Sequence, residues 1–105
     1  MGITNKKQAS KFLGIPKRKV FGFKTFLNGD WGYKDKRRKR GYYHLYRNIH
    51  GNWVELTKDV KALDIFSCNN GDWEYSNEDG YWYLYNDNNK LIEKYEVYEW
   101  LHEPC

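Results

Sequence analysis

The stretch 28–33 reads NGDWGY, and it returns at 70–75 as NGDWEY. A second block follows each copy in the same order, GYYHLY at 41–46 and GYWYLY at 80–85. Matching blocks in the same order, about forty residues apart, indicate an internal duplication. We therefore expect two tandem copies of one structural unit.

Each copy has the sequence pattern of an antiparallel β-meander. Asn-Gly is the preferred dipeptide of type I′ hairpin turns, because both central residues of such a turn need positive φ. The pairs Asn28-Gly29 and Asn70-Gly71 therefore predict tight turns before the Asp-Trp strands. Aromatic residues make up 19% of the chain, which favours strands over helices.

Strand alternation divides the rings of the second block between two faces. One face of the first copy carries Tyr42, His44 and Tyr46. In the second copy Trp82 and Leu84 lie on the opposite face, which we expect to form the core. The Tyr and His row is then either exposed beside cations, as a platform for stacking bases, or packed across the strands.

The N-terminus is predicted to form a helical segment over 1–19. Asn5 has the chemistry of an N-cap, and Gln8 follows it at capping-box spacing. Gly14 is expected to end the helix.

The stretch 6–24 also resembles a helix-turn-helix motif, with Gly14 in the turn. The resemblance implies a second helix that begins at Pro16 and presents Lys17, Arg18 and Lys19 to the major groove. The alternative is an ordinary helix packed on the sheet, and we favour it because the following Phe-Lys-Thr-Phe run fits a strand better.

Together these patterns predict an α+β fold. An N-terminal helical segment (1–19) would pack on an antiparallel sheet or small barrel built from two tandem β-meander repeats, at 20–58 and 59–105. The length suits a single domain over 1–105.

Two segments of the second copy have ambiguous patterns. Residues 57–66 are compatible with a short helix, with Thr57 as N-cap. Residues 91–101 fit either a strand or a C-terminal helix.

Charge is divided by position along the chain. Up to Asn48 there are fourteen Lys and Arg against two acids, a net charge of +12. From Ile49 onward there are four Lys against twelve acids, a net charge of −8. The densest run, KRRKR at 36–40, lies between the two blocks, where the first copy is three residues longer than the second. Clustered cations with Arg forks favour a partner that carries phosphate.

We therefore predict non-enzymatic binding to nucleic acid, DNA or RNA, or to a protein–nucleic-acid complex. The candidate contact residues are cations and rings of the basic half: Lys17, Arg18, Lys19, Lys34, Lys36, Arg37, Arg38, Lys39, Arg40, Tyr42, His44, Tyr46 and Arg47.

Two other classes of function compete with this prediction. One is a phage inhibitor of the anti-restriction or anti-CRISPR kind, which would block a host nucleic-acid-binding protein through contact with an acidic, phosphate-like surface. The other is an aromatic carbohydrate-binding module. The sequence has no nucleophile elbow or phosphate-binding Gly loop, so we expect no enzyme, cofactor or metal. A homodimer through edge strands stays open.

The sequence also bears on the compartment. No stretch is apolar enough to span a membrane, and the N-terminus lacks the apolar core of a signal peptide. Cys68 and Cys105 make neither a disulfide framework nor a metal site. We therefore expect free thiols and a cytoplasmic protein.

Overall fold

The structure is a computed structural model, and it describes residues 2–37 and 40–96. Within these residues a helix and a 3-10 turn precede eight strands. In chain order the elements are α1 (Lys6–Leu13), the 3-10 turn (Lys17–Lys19), β1 (Phe21–Thr25), β2 (Trp31–Lys34), β3 (Tyr43–Ile49), β4 (Asn52–Glu55), β5 (Asp64–Ser67), β6 (Trp73–Ser76), β7 (Tyr81–Tyr85) and β8 (Leu91–Glu96).

The strands form two four-stranded antiparallel sheets, each with its strands in sequence order. The first sheet is β1-β2-β3-β4 and the second is β5-β6-β7-β8. This arrangement confirms the two tandem meanders and the broad α+β class. The barrel alternative is wrong, because the described strands make two separate sheets that do not close on each other.

Helix α1 has the predicted ends and the predicted packing. The Asn5 side chain accepts a hydrogen bond from the Gln8 N–H at 2.9 Å, and Gly14 ends the helix with φ 70°. The reciprocal bond is shifted by one residue, because the Gln8 amide oxygen accepts from the Thr4 N–H. Ala9 is fully buried in a cluster with Trp31, so α1 packs on the first sheet.

The second helix of the helix-turn-helix resemblance does not form. Lys17–Lys19 make a single 3-10 turn, and β1 begins at Phe21. Val20, between them, is fully buried and packs in the cluster of Trp31. Burying this β-branched residue and the rings that follow it on the sheet overrides the helical pattern. The structure therefore contradicts the helix-turn-helix resemblance and agrees with the alternative that we favour, an ordinary helix packed on the sheet.

The hairpin turns are present, but their type differs from the prediction at Asn28-Gly29. Gly29 has φ 94°, whereas Asn28 does not have positive φ. The Asn28 side chain instead accepts the Asp30 N–H at 2.9 Å, in a three-residue hairpin loop with its left-handed residue at the end. Two consecutive positive φ values, as a type I′ turn requires, occur at His50 and Gly51.

The short helix that the sequence allows over 57–66 does not form. Residues 56–59 form a turn, and β5 follows at Asp64–Ser67. The Thr57 hydroxyl accepts the Leu45 N–H at 3.1 Å and donates to Glu55 at 3.0 Å, so it does not cap a helix. These contacts with the first sheet hold the linker between the copies.

The ambiguous segment near the C-terminus is a strand over Leu91–Glu96. The remainder of 91–101, for which a C-terminal helix is the alternative, lies outside the described residues.

Cys68 is buried and disulfide-bonded. The expectation of a free thiol at this position is therefore wrong. In the part of the chain that the structure describes, no helix is long and apolar enough to cross a membrane.

The duplication is visible in the side chains. Trp31 stacks on Tyr46 with ring centroids 4.6 Å apart, and Trp73 stacks on Tyr85 at 4.7 Å. A second stacked pair lies beside each of them, Tyr33–His44 at 5.1 Å and Tyr75–Tyr83 at 5.2 Å. We call each group of four rings a quartet. The quartet of the first copy packs under α1.

The second quartet packs against the back of the first sheet. Leu45 and Ile65 share a buried cluster there with Trp73. The sheets approach closely at Gly32, where a Cβ would lie 2.4 Å from the Ile65 side chain. Leu45, on the strand face opposite Tyr42, His44 and Tyr46, is fully buried.

The predicted core face of the second copy is wrong. Trp73 and Tyr75 are the buried rings, and they share a face with Tyr83 and Tyr85. Trp82 and Leu84 lie half-buried on the opposite face. Tyr83 and Tyr85 of this copy therefore pack against the first sheet.

Candidate nucleic-acid interface

Strand register brings two basic segments to one end of the first sheet. Phe21 pairs with Lys34, and Lys34 pairs with Tyr43. The 3-10 turn lies just before Phe21, and the connection from β2 to β3, which we call the basic loop, leaves the sheet just after Lys34. Neighbouring strands lie about 5 Å apart, so both segments emerge side by side. We call this the basic end, and its described cations are Lys17, Arg18, Lys19, Lys34, Lys36, Arg37 and Arg40.

The cations of the basic end are largely free of acidic partners. All except the half-buried Lys34 are exposed. Among the cations of the basic end, only Arg40 makes an ion pair with a described residue, at 3.4 Å from Glu78. The Arg40 side chain is 69% exposed, and a pair of this kind contributes at most about 1 kcal/mol. The basic end therefore keeps nearly all of its positive charge. Arg38 and Lys39 of the predicted site lie outside the described residues.

The base of the loop is closed by hydrogen bonds between Asp35 and Tyr42. The Asp35 N–H donates to the Tyr42 carbonyl at 3.1 Å, and the Tyr42 N–H donates to the Asp35 carboxylate at 2.9 Å. The Tyr42 hydroxyl donates to Glu78 at 2.8 Å, and this hydrogen bond raises the pKa of Tyr42. Tyr42 thus links the loop to the second sheet.

His44 is held between two carboxylates. Its Nδ1 lies 2.7 Å from Glu55, and its Nε2 lies 3.0 Å from Asp35. Burial disfavours the charged imidazolium, but the hydrogen bonds with Glu55 and Asp35 outweigh burial and raise the pKa of His44. One ring face is covered by Tyr33. Both ring nitrogens are therefore committed to partners within the chain.

We expect the contribution of His44 to stability to depend on pH. Because its folded pKa is raised, that contribution is complete below the unfolded value of about 6.5 and is lost as pH rises through the folded pKa. The measurement is urea unfolding of the wild type and of His44→Gln at about pH 5.5 and about pH 8.5. The loss of stability in the variant should be larger at the lower pH. An equal loss at both values would contradict this account of His44.

Two predicted contact residues point into the protein instead. Tyr46 is stacked on Trp31 and touched at its edge by Phe12, and burial raises its pKa. The Arg47 side chain is 13% exposed and its guanidinium binds Asp30. We therefore leave Tyr46 and Arg47 out of the candidate interface.

Sequence reasoning missed Asp35, Glu55 and Glu78 as partners of the site. Glu55 and Glu78 lie 11 and 36 residues from the side chains that they bind. Residues so far apart in the chain form no recognisable sequence motif. Strand register and the stacking of the two sheets bring these groups together.

No group of three or more His, Cys, Asp or Glu within 2–37 and 40–96 could hold a metal ion.

Comparisons with protein-family models, curated proteins and solved structures find no match to this chain. The geometry of the basic end is therefore the basis for a functional proposal.

Proposed function

We propose that this protein is a non-enzymatic nucleic-acid-binding protein whose basic end contacts the phosphate backbone. The convergence of Lys17–Lys19 with the loop after Lys34 carries the proposal. Charges closer together than the Debye length, about 10 Å at moderate salt, act on the same polyanion. Two adjacent strand ends satisfy this condition.

The contacts are expected to be to phosphate rather than to bases. His44 and Tyr46 have their rings or ring nitrogens engaged within the chain, so the proposal gives them no stacking role. Exposed Lys and Arg side chains bind phosphate in any sequence context. Binding should therefore be weakly dependent on sequence and steeply dependent on salt.

An acidic turn in the second copy limits where the nucleic acid can cross the basic end. This turn carries Glu78 and Asp79, where the first copy has the basic loop. Glu78 already contacts Arg40 and Tyr42. These carboxylates repel phosphate, so the backbone should cross the 3-10 turn and the basic loop rather than the second sheet.

Fluorescence anisotropy with labelled duplex DNA, single-stranded DNA and RNA tests the proposal. Titrations would span roughly 50–200 mM salt, where phosphate contacts have a large effect. A variant with Gln at Lys36, Arg37 and Arg40 should bind more weakly. Its plot of log K against log salt on duplex should be shallower by about 0.9 for each phosphate that the variant no longer neutralises.

The matched control carries Gln at Lys7, Lys58 and Lys90, which are exposed and lie away from the basic end. It changes the net charge equally and should bind as the wild type does. No binding at low salt, or equal losses in both variants, would overturn the proposal. The alternative to test next would be inhibition of a host nucleic-acid-handling protein by direct contact.

A further inference from the structure

A polar cleft of about 540 Å³ lies between the two copies. The turn 28–30 forms one wall and the turn 69–71 forms the other. Because β2 runs from Trp31 to Lys34, this cleft is at the opposite end of the first sheet from the basic end. It is a separate site.

The floor of the cleft is a fixed polar network. The Arg47 guanidinium donates to the Asp30 carboxylate at 2.7 and 2.9 Å, and to the Gly71 carbonyl at 2.7 Å. The Ser67 hydroxyl donates to Asp30 at 2.6 Å. Asn28 donates to Ser67 at 2.6 Å. These hydrogen bonds fix the side chains of the floor. The floor is also close to neutral, because the charges of Arg47 and Asp30 cancel.

The turn of the second copy is also fixed in place. Gly71 has φ 96°, and a Cβ there would lie 2.8 Å from the Cβ of Asp87. Asp87 belongs to the β7–β8 turn and lines the same cleft. The close approach places the Asp87 carboxylate at the rim of the cleft. Asp87 has no ion-pair partner among the described residues.

The rim carries hydrogen-bonding groups that are still available. The Asn48 amide oxygen accepts the Gly51 N–H at 3.0 Å, which leaves the Asn48 NH₂ group available to donate to a ligand. The exposed Asn69 amide makes no hydrogen bond within the described part of the chain. Trp53 lines the wall, half-buried and edge-on to Trp31 at 6.1 Å.

These groups together indicate the class of ligand. Amides and a carboxylate offer donors and acceptors to hydroxyl groups, which both donate and accept. The Trp53 ring offers an apolar surface for the C–H face of a sugar ring. Asp87 disfavours an anion, because Asp30 already neutralises Arg47. The volume falls within the range of small-molecule sites, roughly 300–1,000 Å³.

We infer that this cleft is a binding site for a small neutral saccharide. The amides of Asn48 and Asn69 and the Asp87 carboxylate bind its hydroxyls, and Trp53 packs against its ring. The site does not depend on nucleic-acid binding by the basic end. Its affinity should not change with salt, since no net charge is neutralised.

Titration of ¹⁵N-labelled protein followed by NMR tests this inference. The probes are glucose, galactose, mannose, N-acetylglucosamine, maltose, cellobiose, lactose and chitobiose. At least one should give saturable shifts of the side-chain amide signals of Asn48 and Asn69 and of the Trp53 indole signal. Asn69→Ala and Asp87→Asn change exposed side chains, and each should weaken binding about fivefold, the value of one net hydrogen bond.

The control is the variant with Gln at Lys36, Arg37 and Arg40, which should bind the saccharide as the wild type does. A failure of nucleic-acid binding would leave this result unchanged. The inference is overturned if no probe gives saturable shifts at tens of millimolar. Shifts that centre on the basic end, or affinity that falls with salt, would equally overturn it.

Discussion

Replacing Arg47 with Ala should lower the free energy of unfolding by about 3–5 kcal/mol. Asp30 is 4% exposed, and Arg47 is its charged partner. The variant leaves the Asp30 carboxylate buried without a counter-charge, and it also removes the bond that joins Arg47 to the Gly71 carbonyl of the second copy. Urea unfolding at neutral pH measures the loss.

The control for Arg47 is Lys24→Ala, which breaks an ion pair of similar length, at 2.7 Å to Asp64. Both partners of this pair are partly exposed, so the loss should be below about 1 kcal/mol. Asp30→Asn combined with Arg47→Ala should recover part of the stability, because no buried charge remains. A loss below about 1 kcal/mol in Arg47→Ala would contradict a structural role for the pair.

Replacing Trp31 with Ala should cost about 3–5 kcal/mol of unfolding free energy. The Trp31 ring is 0% exposed and stacks on Tyr46, with Phe12 and Trp53 at its edges. Ala leaves a cavity under α1 that these neighbours cannot fill without leaving their rotamers. Calorimetric or urea unfolding gives the value.

The control for Trp31 is Leu27→Ala, since Leu27 is 94% exposed at a hairpin turn and should change stability by less than about 0.5 kcal/mol. Trp31→Phe is the informative intermediate. The buried Trp31 indole N–H has no hydrogen-bond partner within 2–37 and 40–96, so Phe removes an unsatisfied donor and should cost far less than Ala. Equal losses in Trp31→Phe and Trp31→Ala would contradict the packing account.

Features set by short-range sequence were predictable. The duplication predicts two similar sheets, because each block encodes one strand pair in the same order. Asn5 and Gly14 fix the ends of α1 through bonds to residues at most four positions away. Such bonds do not depend on how distant elements pack.

The choice of buried face was not predictable from alternation. In one copy Leu45 is buried, whereas its counterpart Leu84 is only half-buried. The difference arises because the sheets stack face to back, with Gly32 at the contact where the second copy has Glu74. Alternation defines two faces, and only the packing of the sheets decides which one the neighbour covers.

The candidate site was predictable in part. Charge density identifies Lys17–Lys19 and 36–40 as basic segments, but their meeting depends on the pairing of Phe21 with Lys34. Residue type alone does not predict that Arg47 binds Asp30 or that Tyr46 stacks on Trp31. A cation or a ring near a basic segment does not reveal its partner.

The salt dependence of duplex DNA binding in two charge-matched variants tests the central claim most directly. One variant carries Gln at Lys17 and Lys19, in the basic end. The other carries Gln at Lys7 and Lys11, which line a groove beside Trp53, away from the basic end. The account predicts that the slope of log K against log salt becomes shallower in the first variant, by about 0.9 for each phosphate no longer neutralised, and stays unchanged in the second. Equal changes in both variants would show that only net charge matters, and would contradict a defined phosphate-binding surface.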